Sequence, residues 1–381
     1  MKFSHVHDDH GAGALTEELS QAPAIALDCE AAGFHRYSDR LCLVQVTTNQ
    51  GTHVVDPFTT DASALFRPIL EDPSIEIVMH GSDFDLRLLS RDLGIHLKGL
   101  YDTQIAASLL GLDGLGLAAL LEKRFDVRLS KKYQRADWAD RPLTDGMLEY
   151  AAADTHYLFP LSDQLKEEAE AAGRTGWVEE ECRALEVSAI QTDDDAEPVD
   201  PVTRIKGARS LTPRQITALR IALEWRDEIA REKDRAPFRV IGNPPLIEAV
   251  SLAPRRVEEL VDIKGFPRSL ARSEGKDLLK RLHEVSDLPE DQLQGYPRRS
   301  GGGPGRPTPE MEALFERLKV VRNRSADEIG LPRGTLLSNA VLLEITRALP
   351  ENSEAMASVP GMRAWKLGVA GDDLLEVVRK G

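Results

Sequence analysis

The N-terminal half of the chain alternates short apolar runs with amphipathic stretches. PAIALD (23–28) is a continuous apolar run ending in an acid, the pattern of a strand buried on both faces. LCLVQVTT (41–48) and THVVD (52–56) flank Asn49-Gln50-Gly51, a hairpin-type turn. IEIVMH (75–80) reads as another buried strand. Helical periodicity covers 61–71, 83–93, 103–110, 115–123 and 144–171. Strands come first, and then helix and strand alternate. This order predicts an α/β domain whose mixed sheet, an antiparallel hairpin joined to parallel strands, is flanked by helices.

Beyond residue 200 the strand pattern stops and the periodicity is helical throughout. This part repeats itself at a shift of 96 residues without a gap. Arg226 meets Arg322, and NPPLIEAVSLAP (243–254) meets NAVLLEITRALP (339–350). Gly265 meets Gly361, Gly275 meets Gly371, and Asp277-Leu278-Leu279 meets Asp373-Leu374-Leu375. An ungapped match that includes glycines expected to stop helices points to duplication of a small all-α domain. Two stretches read as linkers: acidic QTDDDAEPVD (191–200) and Gly/Pro-rich PRRSGGGPGRPTP (297–309). The domains expected are therefore 1–190, 203–290 and 308–379.

At 381 residues and 42.1 kDa, two or three domains are the natural division. The net charge of −15 argues against nucleic acid until its distribution is considered. Residues 1–200 hold 17 Lys and Arg against 37 Asp and Glu; residues 201–381 hold 31 against 26. The acidity lies in the first domain, where it suits a carboxylate-rich metal site or solvated helix faces. The helical half is mildly basic. Three cysteines, Cys29, Cys42 and Cys182, with no CxxC pair exclude a disulfide scaffold and a cysteine-rich zinc domain, and fit a reducing cytoplasm. No apolar run is long enough for a membrane span, and MKFSHVHDDHGAG has no signal-peptide core. A cytoplasmic monomer is the expectation.

Four places in the first domain supply acids. Asp28 and Glu30, two apart on a strand, project to one face, and Cys29 points the other way. Asp83 and Asp85 follow the small-residue turn Gly81-Ser82 in the first turn of a helix, where acids also favour the helix dipole; the residues alone do not separate the two. Tyr150 and Asp154, with three alanines between them, share a helix face. Asp102, in LYDTQ, reads as an N-cap rather than a ligand. Asp28, Glu30, Asp85 and Asp154 together are hard oxygen donors from separate chain regions, of the kind that selects Mg²⁺ or Mn²⁺ over zinc. Two such ions activate water and stabilise the leaving oxygen in phosphodiester cleavage, with Tyr150 placed to orient that water.

The motif set DxE, an Asp about 55 residues on and YxxxD resembles the DEDD 3′–5′ exonucleases of the tyrosine subclass. AIALDCE (24–30), VMHGSDFDL (78–86), YDTQIAA (101–107), KKYQRADWADRPLT (131–144) and EYAAADTHYL (149–158) are similar to the ribonuclease D family. LTPRQITALRIALEWRDEIAREKDRAPFRVIGNPPLIEAV (211–250) resembles the HRDC domain of that family and of RecQ-type helicases. The resemblance covers nearly the whole chain. It implies a ribonuclease H-like exonuclease domain followed by two HRDC-type domains. It makes Asp28, Glu30, Asp85 and Asp154 the ligands of two divalent cations, prefers Asp85 over Asp83, and makes Tyr150 the residue that positions the water. It implies hydrolysis from the 3′ end of RNA to 5′-mononucleotides, with tRNA precursors and other small stable RNAs carrying single-stranded 3′ ends as substrates. Met147, where relatives carry Gln, and Cys29, where Thr is usual, depart from the pattern without touching a ligand.

Other candidates are weaker. Lys131, Lys132 and Arg135, beside Tyr133 and Trp138, combine cations with aromatics and suit contacts to a single strand; a solvated loop anchored by Trp138 is the plain alternative. His80 stands at a strand end, either holding substrate or satisfied within the fold. Arg226, Arg231, Lys233, Arg235 and Arg239 mark a nucleic-acid surface or a salt-bridged helix face. His5-x-His7-x-Asp9-His10 matches a zinc-hydrolase pattern but lacks the strand context it needs, so a mobile N-terminus is expected. Two alternatives of function stay open: a DNA 3′–5′ exonuclease, since nothing in the residues reports on the 2′-hydroxyl, and a nucleic-acid-binding scaffold with a decayed nuclease.

Overall fold

The computed structural model describes residues 2–190, 199–297 and 308–380. Most of both expected linkers, 191–198 and 298–307, lies outside the described residues. Six strands, β1 (Ser4–Val6), β2 (Ala24–Ala31), β3 (Leu41–Thr47), β4 (Thr52–Val55), β5 (Glu76–Met79) and β6 (Leu100–Asp102), form one sheet in the order β1-β4-β3-β2-β5-β6. β2, β3 and β4 pair antiparallel; β5 joins β2, β6 joins β5 and β1 joins β4 in parallel. The expected mixed sheet is what forms. Eight helices accompany it: α1 (Asp9–Leu19), α2 (Ala62–Leu70), α3 (Asp83–Leu93), α4 (Thr103–Leu109), α5 (Leu117–Phe125), α6 (Asp145–His156), α7 (Leu158–Ala171) and α8 (Thr175–Ile190). Leu27, Val44 and Val46 on one sheet face share a core with Leu15, Phe66 and Leu89. Leu43 and Val54 on the other meet Leu148, Ala151 and Ala152 of α6. Coverage on both faces explains why β3 reads as an apolar run broken only by Gln45 and the closing Thr47.

Three sequence expectations are corrected. The N-terminus is ordered: Ser4–Val6 extend the sheet beside β4, Val6 is buried, and Asp8 caps α1 by accepting from the Gly11 N–H at 2.8 Å. His5 and His7 stack on one another at 4.7 Å, and His7 Nδ1 donates to the His5 carbonyl. The stretch 144–171 is two helices, broken at Tyr157. Pro160 in the first turn of α7 has no N–H to give the carbonyl four residues back, so it can open a helix but not continue one. Finally, β6 and α8 lie where no element was assigned; β6 is only three residues long, too short to register a period.

The remainder is helical: α9 (Pro213–Glu232), α10 (Pro237–Val240), α11 (Asn243–Leu252), α12 (Val257–Asp262) and α13 (Arg268–Ser286), then α14 (Pro309–Glu328), α15 (Arg333–Leu336), α16 (Asn339–Ala348), α17 (Ser353–Ala357) and α18 (Ala364–Arg379). Each helix of the first set begins again 96 residues later. Even the left-handed residue after α11, Ala253, recurs as Leu349 after α16. Arg226 donates to the Ile241 carbonyl and Asn243 Oδ1; Arg322 does the same to Leu337 and Asn339. Gly275 and Gly371 are not helix stops. They lie inside α13 and α18, where a Cβ on Gly275 meets Leu260 at 3.0 Å.

The two sets attach differently. The second continues the nuclease core: Trp365 stacks on Trp177 of α8 at 4.6 Å, and Glu180 caps α18 by accepting from the Ala364 and Trp365 N–H groups. The first keeps its own core, against which Tyr37 packs, and is joined largely through polar contacts. Tyr37 donates to Asp227 at 2.9 Å, and Arg36 pairs with Asp137 and Asp234.

Candidate active site

Asp28 and Glu30 lie on the β2 face that α6 covers, opposite Gln45 and Leu43 of β3. Cys29 between them is buried on the other side. A register shift after Glu30 ends the regular pairing, so the strand delivers both acids and then turns away.

β5 ends at Met79, and the chain turns through His80-Gly81-Ser82 into α3. Gly81 has φ +67°, a conformation only glycine holds without strain. Asp102 braces this turn. Fully buried, it accepts from the Gly81 N–H (3.0 Å), the Ser82 N–H and hydroxyl (2.8 Å each), and the N–H groups of Gln104 and Ile105. One carboxylate therefore caps α4 and fixes the start of α3. The N-cap reading of Asp102 holds, with the larger role of holding two elements together. The first turn of α3 then separates its two acids. Asp83 is exposed and paired with Arg87, whereas Asp85 is buried.

Thr144 caps α6. Ala151 and Ala152 press against the sheet, which leaves Tyr150 and Asp154 together on an adjoining face. The Tyr150 ring is held edge-on to Tyr133 (6.2 Å) and tilted to the buried Trp138 (6.0 Å). Gly146 permits this arrangement, since a Cβ there falls 2.6 Å from the Tyr133 hydroxyl. Arg141 pins the loop to the sheet by pairing with buried Asp56 and donating to the Trp138 and Cys42 carbonyls.

Burial dominates the electrostatics. It pushes the Asp28 carboxyl up to about 7, opposed by the Cys29 N–H. Asp154 rises to about 8 through burial and then the Asp28 charge. Glu30 and Asp85 are driven well above the ordinary carboxylate range by burial and then by Asp28 and their other acidic neighbours. No cation is among the causes for any of the four, and among the described residues none of their side chains forms an ion pair. The four thus share one field with nothing to neutralise it. Among the described residues, no group of three His, Cys, Asp or Glu side chains is drawn in tightly enough to hold a metal ion as it stands. The donor set, all hard oxygen, fits Mg²⁺ or Mn²⁺. Burial and the charges of Asp154, Glu30 and Asp28 raise the Tyr150 phenol, so it stays protonated.

A cavity of about 340 Å³ is lined by Leu129, Lys132, Tyr133, Tyr150 and Asp154 among others. It brings Lys132 to the site but includes neither Lys131 nor Arg135, whose guanidinium instead covers the Phe34 ring. His80 bonds the Thr103 hydroxyl at 2.9 Å; its other ring nitrogen is buried without a partner among the described residues. Sequence reading missed Gln45, which is fully buried with its amide unpartnered opposite Asp28. The one signal was a lone amide inside the apolar run LCLVQVTT.

Comparison with known proteins completes the picture. Residues 3–170 match the family described as 3′-5′ exonuclease, and residues 216–282 and 311–378 each match the HRDC domain. Fold and matches together define a 3′–5′ exonuclease followed by two HRDC domains. Ribonuclease D of Escherichia coli (strain K12) is 34% identical over 295 residues, 77% of this chain and 77% of that protein. Ribonuclease D of Pseudomonas paraeruginosa is 27% identical over 98% of this chain and 96% of its own length. The crystal structure of Escherichia coli RNase D, described as an exoribonuclease involved in structured RNA processing, superposes with a TM-score of 0.71 at 28% identity, covering 100% of this chain and 99% of that one. The chain belongs to the ribonuclease D family. It is a 3′–5′ exoribonuclease, a hydrolase of phosphodiester bonds. No helix among the described residues is long and apolar enough to cross a membrane.

Proposed function

We propose that this enzyme trims the single-stranded 3′ ends of small structured RNAs, tRNA precursors among them, and releases 5′-mononucleotides with the help of two divalent cations. The observation that carries the metal reading is the group of four carboxylates, Asp85 buried and Asp28, Glu30 and Asp154 half-buried, without a compensating cation. Asp28, Glu30, Asp85 and Asp154 would hold Mg²⁺ or Mn²⁺. When bound, such ions lower the pKa of water and stabilise the charge on the leaving oxygen.

The chain's own part is positional. Tyr150, protonated and fixed by Tyr133 and Trp138, offers a neutral hydroxyl that orients the attacking water but cannot remove its proton. Asp102 holds Asp85 in place through the Gly81-Ser82 turn. Lys132 faces a phosphate in the cavity beside Tyr150 and Asp154, and Lys131 and Arg135 meet the strand further out. His80 we assign to the fold, through Thr103. Residues 1–190 form the catalytic unit, 203–290 and 308–379 the two RNA-gripping units, in a cytoplasmic monomer.

The test is a gel time course on an RNA hairpin with a single-stranded 3′ tail, labelled at its 5′ end, with Mg²⁺, Mn²⁺ or EDTA. A ladder that shortens from the 3′ end only with metal is expected. Equal shortening in EDTA would overturn the metal reading, and equal shortening of the matched DNA would remove the RNA preference.

A further inference from the structure

Beyond Glu30 the chain enters a loop that carries Phe34, which is 41% exposed. Beside it stands a ring of the first HRDC domain: Phe238 on α10, 53% exposed, with ring centres 5.5 Å apart at 57°. Arg239 of α10 covers Phe34 at 5.2 Å, and Arg135 of the loop after α5 covers it at 5.6 Å. The carboxylates at this junction are already engaged, since Asp137 and Asp234 both pair with Arg36. Among the described residues neither Arg135 nor Arg239 forms an ion pair. Arg239 donates to the Phe34 carbonyl at 3.5 Å, so two guanidinium groups without an ion pair flank the exposed ring pair.

The junction itself does not depend on these rings. His35 Nε2 donates to the Arg135 carbonyl at 2.8 Å, and the Ala236 N–H donates to the His35 carbonyl at 3.0 Å. Tyr37 bonds Asp227 and receives a bond from Arg231 at 3.0 Å. These bonds hold the loop and α10 together and leave both rings partly exposed, with the mobile side chains of Arg135 and Arg239 as the only cover over Phe34 among the described residues besides Phe238 and His35.

We propose that Phe34, Phe238, Arg135 and Arg239 form a platform on which a base of the single-stranded RNA tail stacks, upstream of the nucleotide being removed. The chemistry is that of sequence-tolerant single-strand binding: an aromatic face accepts any base, and the guanidinium groups take the flanking phosphates and add cation–π attraction. Phe34 is four residues past Glu30. At no more than ~3.6 Å per residue, its backbone lies within about 14 Å of that acid, close enough for one short tail to reach both. Two structural units supply the platform, so the first HRDC domain acts at the rim of the catalytic site as well as on the body of the RNA. The placement of the scissile end rests on the catalytic reading above; the stacking does not.

Binding measured by fluorescence anisotropy in EDTA reads the platform without turnover. The probes are an RNA hairpin with a single-stranded 3′ tail carrying 2-aminopurine and its blunt counterpart. Phe34→Ala and Phe238→Ala are each expected to weaken the tailed RNA roughly tenfold and to lose the quenching of 2-aminopurine. The blunt hairpin should bind as before, and Phe238→Tyr should retain wild-type affinity. Unchanged affinity for the tail in both alanine variants would overturn the platform, and would turn attention to a protein ligand for the ring pair. Equal losses for tailed and blunt RNA would also overturn it, because that pattern belongs to a displaced HRDC domain. A wild-type enzyme that quenches the probe yet hydrolyses nothing with any metal would leave the platform standing and sink the catalytic reading.

Discussion

Two acidic places lie at strand ends of the same sheet, at β6 and at β2 with β5 between them; Asp102 and Asp85 are buried, and Asp28, Glu30 and Asp154 are half-buried. At the end of β6, Asp102 accepts five hydrogen bonds and has spent its charge within the fold. Around the end of β2, Asp28, Glu30, Asp85 and Asp154 have each other for company and no cation. A buried carboxylate costs several kcal/mol unless it is paired or hydrogen-bonded. Asp102 meets that condition with backbone donors, so it is structural. The other four have no comparable set of donors, which is why we assign them to the proposed metal site. On the proposed reading, satisfaction rather than residue type separates the acid that shapes the fold from the acids that serve the reaction.

The comparison is broken most directly by removing one acid from each place. Asp28→Ala or Asp154→Ala should lower hydrolysis at least a thousandfold, about 4 kcal/mol in barrier, while the metal-free protein melts no lower than wild type. Turnover within tenfold of wild type in either variant would place the catalytic acids elsewhere. Asp102→Ala should do the reverse in kind. It strands several buried donors at once and should cost about 3–5 kcal/mol of stability, read as a lowered denaturant midpoint. An unchanged midpoint would mean that the five bonds contribute nothing net. Activity should fall too, because the Gly81-Ser82 turn that carries Asp85 loosens, but the loss should be partly recovered in Asp102→Asn, which keeps acceptor oxygen at the site.

A finer test concerns the tyrosine that shares the unsatisfied field. Tyr150→Phe keeps the ring that packs on Tyr133 and Trp138 and removes only the hydroxyl. A water-positioning role predicts a fall in kcat of roughly 10- to 100-fold, in the usual range for one positioned proton-handling group, with calorimetric Mn²⁺ affinity unchanged. Equal kcat in the variant would remove the role; lost Mn²⁺ binding would make Tyr150 a part of the ligand shell.

Much of this contrast was legible in the chain, and the illegible part has a physical pattern. Alternation and i, i+4 spacing placed Asp28, Glu30, Tyr150 and Asp154 on their faces, because those periods are local. The 96-residue repeat was legible for the same reason: each helix start recurs in register. Asp83 and Asp85 could not be told apart from spacing, since both fit a first helical turn; only the packing of α3 buries one and leaves the other to Arg87. Asp102 was readable as a cap for α4, but its second set of donors comes from a turn some 20 residues earlier. β1 was invisible because three residues carry no period and its stability comes from pairing with β4. The Phe34–Phe238 contact joins residues 204 positions apart, and nothing local announces it.

The most discriminating test reads the unsatisfied field directly. In the unfolded chain Asp28 and Asp154 titrate near the ordinary 3.8; in the folded, metal-free protein they are raised to about 7 and about 8. A group raised by folding binds its proton more tightly in the native state. Its contribution to stability is therefore complete below about pH 3.8 and drains away as the pH climbs through 7 and 8. In EDTA the melting temperature should thus decline steadily between pH 5 and pH 8.5. The decline should flatten in Asp28→Asn/Asp154→Asn, which has no charge to bury at those positions, and Mg²⁺ or Mn²⁺ should shrink it by favouring the charged forms. Asp102→Asn should melt lower throughout, with the wild-type slope, because the acids that set the slope are untouched. A wild-type melting temperature flat across this range would mean that the carboxylates of β2 and α6 are as well satisfied as Asp102, and the distinction between the two places would fall.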